Sequence, residues 1–246
     1  MAVRAGYDVR LRDALAEHAR GAWRAPGARE VVVAWARPEE IPGPAAESEL
    51  LALLSEDERA RLDRFRSPAD GRLFLLAHAL LRTTLSVCSG VEPRAWQFRV
   101  GKYGRPEIAA PSSRFRFSLS HTRGLAACAI VLDRDIGLDV EYTARSAPEH
   151  VLDFFSFREV EELRSTPEGA RANRFFTYWT LKEAYLKAKG VGMSLPLRRF
   201  SMYEDAAGVW RIACHAPLED DPQQWWFWSS PVGDDHVAAL ALRLEG

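Results

Sequence analysis

The feature that most constrains this chain is a doubling. Leu125-Ala-Ala-Cys-Ala-Ile-Val-Leu132 has an echo in Val237-Ala-Ala-Leu-Ala-Leu-Arg-Leu244. Each run follows a serine-bearing strand end (Ser118 and Ser120; Ser229 and Ser230) and a turn, and each half sets a long helical segment before its strands. Self-similarity on this scale means one supersecondary unit used twice. The expectation is an α+β protein of two pseudo-repeated α+β subdomains, residues 1–133 and 134–246, meeting near 133–136. The active site is expected at their interface, because facing units leave clefts.

Local patterns fill in the elements. Val31–Trp35 reads as the first strand, and Gly43–Glu47 as a Pro/Gly/Ala loop. Ser55 with Glu58 three residues on predicts a capped helix running to about Phe65. Leu73, Leu76, Ala77, Leu80 and Leu81 recur at helical spacing in a second helix, 69–86. Gln97–Gly101 reads as a strand leading into the turn 102–106. Phe115, Phe117 and Leu119 alternate with polar residues in a half-buried strand, and Leu125–Leu132 is its apolar partner. In the second half, a helix over 174–189 closes at Gly190, followed by strands at 199–203, 210–214, 225–229 and 236–244.

Composition decides between classes. With 47% hydrophobic residues, eight Trp and twelve Phe, a large core is available and disorder is excluded. A net charge of −1 gives no global pull toward nucleic acid or an anionic membrane, so any anion site is local. No apolar run approaches the roughly 20 residues of a membrane span, and residues 1–13 show no signal-peptide pattern. Cys88, Cys128 and Cys214 are odd in number and set among apolar neighbours, which fits buried thiols in the cytoplasm. Only four lysines stand against 29 arginines, and three of them (Lys182, Lys187, Lys189) lie within eight residues.

Those lysines accompany the chemistry-bearing segments. In Ile136-Gly-Leu-Asp-Val-Glu141, strand alternation puts Gly137, Asp139 and Glu141 on one face. Carboxylates two residues apart lie roughly 7 Å from each other and can share a hard cation, with Gly137 leaving room for a ligand. Taken alone, the hexapeptide also reads as an acidic, solvated strand edge. Glu183 and Lys187 share a helical face, as a plain i,i+4 pair or as a carboxylate and a cation turned toward that metal and a phosphate. In the plain-pair alternative Trp179 is core. Ser120-His121 sits at a strand end without a nucleophile elbow, so a hydrolase triad is set aside. Arg105, on the Tyr-Gly-Arg-Pro turn, reads as an exposed arginine or a phosphate clamp.

Taken together, SEDERARLDRF, KYGRP, FSLSH, GLDVE and WTLKEAYLKAKGVG resemble the Sfp-type 4′-phosphopantetheinyl transferases, over residues 50–200. The resemblance implies that family's pseudo-dimeric fold in a monomer. It implies transfer of the phosphopantetheine arm of coenzyme A to a serine of an apo acyl or peptidyl carrier protein, with release of 3′,5′-ADP. Asp139, Glu141 and Glu183 would then hold Mg²⁺, and Glu183 and Lys187 would be catalytic. Arg61, Arg105, Ser120, His121, Lys182 and Lys187 would bind coenzyme A, and Glu159 would help order the site. Carrier proteins present acidic helices, so exposed arginines near the site would assist docking. A non-catalytic coenzyme A or carrier-binding module would lack part of this set, which is intact here. A metal-dependent nuclease would need a basic surface, which the net charge does not supply.

Overall fold

The computed structural model describes residues 8–13, 24–101, 104–145 and 149–244, in two compact units. The first comprises 1–102 and 106–133, the second 103–105 and 134–246. Among the described residues no helix is long and apolar enough to cross a membrane.

In the first unit a four-stranded sheet has the order β1 (Asp8–Asp13), β2 (Glu30–Ala36), β6 (Leu125–Leu132), β5 (Phe115–Thr122). β1 lies parallel to β2, and the other pairings are antiparallel. The strand at 31–35 is therefore not the first. Helix α1 (Pro44–Leu53) occupies the stretch expected to begin as a loop. Gly43 is its N-cap and Pro44 its first residue, where a missing N–H costs nothing, so these residues start a helix here. Helix α2 (Glu56–Leu62) opens on the predicted Ser55/Glu58 capping box and stops three residues short of Phe65. Helix α3 (Pro68–Ser89) spans 22 residues, is capped by Ser67, and ends at Gly90 with φ 77°. It packs on β2, β5 and β6 through Leu73, Leu76, Ala77, Leu80 and Leu81. Each such leucine contributes about 1.5–3 kcal/mol when fully buried. The ribbon β3 (Gln97–Val100) and β4 (Pro106–Ala110) completes the unit. Lys102 and Tyr103, in the turn between them, lie outside the described residues.

The second unit runs through the same order of parts. β7 (Ile136–Tyr142) is followed by α4 (Phe157–Ser165), which the sequence reading omits, and by α5 (Glu168–Lys189), again 22 residues. Gly190 ends α5 as expected, with φ 65°. Then come the ribbon β8 (Phe200–Glu204) and β9 (Trp210–Cys214) and the hairpin β10 (Trp225–Val232) and β11 (His236–Arg243). The sheet order β7-β11-β10 reproduces β2-β6-β5, every pairing antiparallel. The α+β class and the doubled unit are thus both present. Register corrects the sequence echo by one residue. The helix-facing Ala126, Cys128 and Ile130 match Val237, Ala239 and Ala241, because a one-residue slip would turn each side chain to the other face.

Candidate functional site

The site begins with a missing side chain. A Cβ on Gly137 would lie 1.9 Å from the Ala184 carbonyl oxygen and 2.5 Å from the Ala188 amide nitrogen of α5. The space expected to admit a ligand is filled by helix backbone; glycine here serves close strand–helix packing. Ala184, Ala188, Ala239 and Ala241 continue the same tight seam. This approach sets Asp139 and Glu141, farther along the same face of β7, against the α5 stripe 179-183-187, four residues per step.

Lys187 Nζ donates to Asp139 Oδ1 at 2.8 Å, and Arg145 Nη2 reaches Glu141 Oε2 at 2.7 Å. Trp179, which would be core if Glu183 and Lys187 were only a plain pair, is half-buried and donates a hydrogen bond to Glu141. Its place four residues before Glu183 was the available signal. Burial and then the neighbouring Asp139 charge raise Glu183 to about 7, with Glu141 adding to the push and Lys187 opposing it. Glu141 is likewise raised by burial and Asp139, against Arg145, Lys187 and the Trp179 hydrogen bond. The three carboxylates therefore feel one another's charge. Such an acidic, all-oxygen donor set fits a hard divalent cation, although among the described residues no three His, Cys, Asp or Glu are gathered at metal-binding distances.

Lys182 requires a correction. It was expected to bind the cofactor, yet its side chain is fully buried. Its three ammonium protons go to Leu197 O (2.8 Å), Phe200 O (2.6 Å) and Glu159 Oε2 (2.9 Å). One residue from Glu183 is about 100° around a helix, which turns Lys182 into the core. Glu159 is also fully buried, and accepts from Ser156 and from the Met202 amide.

Arg105 donates to the carbonyls of Ala188 (2.9 Å) and Ile136 (3.2 Å), joining the last turn of α5 to the start of β7. It is neither exposed nor solely a turn residue. In the first unit, Arg61 stacks over Phe74 and borders a cavity of about 530 Å³ that reaches Trp96 and Phe98. Ser120 is buried on β5, and His121 beside it is exposed.

The profile of the 4′-phosphopantetheinyl transferase superfamily matches residues 135–241. A 4′-phosphopantetheinyl transferase of Nostoc, HetI, is 41% identical over 150 residues, covering 59% of this chain and 63% of that protein. A 4′-phosphopantetheinyl transferase of Bacillus subtilis is 30% identical over 156 residues, covering 63% and 69%. The chain thus spans about two thirds of the length of these relatives. Among solved structures, the Thermotoga maritima holo-[acyl-carrier-protein] synthase overlaps 46% of this chain and 64% of its own, at 21% identity and a TM-score of 0.37.

Proposed function

Because the chain belongs to the 4′-phosphopantetheinyl transferase superfamily, we propose that it moves the phosphopantetheine arm of coenzyme A onto a serine of an apo acyl or peptidyl carrier protein. The observation that carries this reading is the β7–α5 seam, where the close approach at Gly137 sets Asp139 and Glu141 against Glu183 and Lys187.

In this reading Asp139, Glu141 and Glu183 would hold Mg²⁺. When bound, that ion would polarise the pyrophosphate oxygens of coenzyme A. Glu183 takes the proton of the carrier serine hydroxyl. The serine oxygen forms the new phosphorus–oxygen bond as the bond to 3′,5′-ADP breaks, and Lys187 offsets the charge that develops on the departing phosphate. Trp179 and Arg145 hold Glu141 in orientation. Arg61, Arg105, Ser120 and His121 are proposed contacts for coenzyme A. In this reading the enzyme acts as a monomer and in the cytoplasm, a compartment that suits cysteines held outside any disulfide at positions 88, 128 and 214.

The test is to mix the protein with apo-carrier, coenzyme A and Mg²⁺ and weigh the carrier. A gain of one phosphopantetheine arm is expected; an unchanged mass across a panel of fatty-acid, polyketide and peptide carriers sinks the reading. Glu183→Gln and Asp139→Asn should each slow transfer by about 10²–10⁴-fold with the fold intact. Full turnover in either variant would remove the roles given to these carboxylates.

A further inference from the structure

Behind α5 lies a run of hydrogen bonds that the transfer reaction does not use. His215 follows β9, and its amide continues the ribbon by donating to Arg199 O at 2.8 Å. Its Nε2 lies 2.6 Å from the hydroxyl of Ser201, which is fully buried on β8. Ser201 Oγ is 2.7 Å from Ser156 Oγ, and Ser156 Oγ is 2.9 Å from Glu159 Oε2. The run ends at the Glu159–Lys182 pair, one residue from Glu183.

Counting protons orients it. Glu159 is surrounded by donors: the Ser156 amide (2.9 Å), the Met202 amide (2.8 Å) and the Lys182 ammonium (2.9 Å). An ionised carboxylate only accepts, so Ser156 gives its single hydroxyl proton to Glu159. Ser156 Oγ then accepts from the Glu159 amide and from Ser201. Ser201 has no further hydroxyl proton, so the proton on the last link must come from His215 Nε2.

We propose that His215 is a positioning residue for the site. Its Nε2–H closes a one-way series of donors that fixes Glu159, and through Lys182 fixes the α5 turn bearing Glu183. A lone pair at that nitrogen would pull the Ser201 proton outward and leave Ser156 without it. Buried networks of this kind are costly when one member is unsatisfied, so an exposed imidazole controls the orientation of a buried carboxylate. The inference rests on the transferase reading, in which Glu183 acts on the carrier serine.

Two measurements test it together. Nitrogen-15 spectra of the His215 ring should show a proton on Nε2; a neutral ring protonated only at Nδ1 overturns the proposal. In kinetics, His215→Leu and Ser201→Ala should each lower kcat by about tenfold with the KM for coenzyme A unchanged, as for residues that support catalytic ligands from behind. Because the links are in series, the double variant should be no slower than Ser201→Ala. His215→Gln, whose amide N–H can replace Nε2–H, should recover most of the rate. Additive losses, a glutamine no better than leucine, or a fall in melting temperature with kcat intact would each overturn it. Wild-type protein inert toward every carrier would sink the transferase reading and this inference with it. Active wild type with an insensitive His215→Leu would sink this inference alone.

Discussion

The two units use one plan and put it to different ends. Each runs strand, 22-residue helix, two-stranded ribbon and hairpin, and each sheet places the first of these strands beside the last. The difference lies at three matched positions facing the long helix. In the first unit they are Val32, Ala34 and Ala36, all buried against α3. In the second they are Gly137, Asp139 and Glu141, against α5. An apolar seam stabilises by burial alone. A seam holding carboxylates needs a cation in reach, and Lys187 supplies one to Asp139 at 2.8 Å. The duplicated scaffold thus lets one half keep an apolar seam and the other bury carboxylates beside a lysine.

The comparison can be broken most forcefully by moving the charge. Ala34→Asp places a carboxylate in the first unit at the position of Asp139, among apolar neighbours. It should cost about 3–5 kcal/mol in denaturant unfolding, the scale of an uncompensated buried charge. A loss under about 1 kcal/mol would mean that this seam tolerates carboxylates as the other does.

Next comes the missing side chain. Gly137→Ala drives a methyl group into the α5 backbone, whereas Val32 carries a full isopropyl group at the matched position. Unfolding should register about 3 kcal/mol of overpacking, together with loss of transfer. A variant as stable as the parent would show that the helix can retreat at little cost.

The smallest effect is a pH slope of opposite sign in the two units. In the first, burial alone would raise Glu58, but hydrogen bonds from His78, Ser55 and Arg82 outweigh it and bring it to about 2. Its stabilisation is present above the ordinary value of 4.5 and is lost as pH falls toward 2, no more than about 3 kcal/mol in all. In the second, Glu183 is raised to about 7 by burial and Asp139. The folded state there holds the proton more tightly, so stability falls as pH rises from 4.5 through 7. Denaturation midpoints should lose the acid slope in Glu58→Gln and the neutral slope in Glu183→Gln. Retention of either slope would mean that another group carries it.

Much of this was legible beforehand because it is local. Ser55 with Glu58, the apolar stripe of α3, the alternation in β7 and Gly190 as a stop all act within a few residues of themselves. The same S-x-x-E pattern stands at Ser156 and Glu159 and opens α4, so that helix could have been read as well. Gly43-Pro44 looked like a loop because these residues also begin helices. Lys182 was assigned by likeness of motif, although its position on the helical wheel already separated it from Glu183 and Lys187.

Sequence alone determined the periodicities, the caps, the doubled order of elements and the residue types able to carry phosphoryl transfer. Tertiary structure decided which of them meet. Only packing shows that the bare α-carbon of Gly137 receives α5 backbone, that Lys187 leans on Asp139, and that Lys182 turns inward to Glu159. The reason is range: helix and strand periods are set by near neighbours, whereas these contacts join residues 23 to 51 positions apart whose approach is fixed by a whole strand–helix interface.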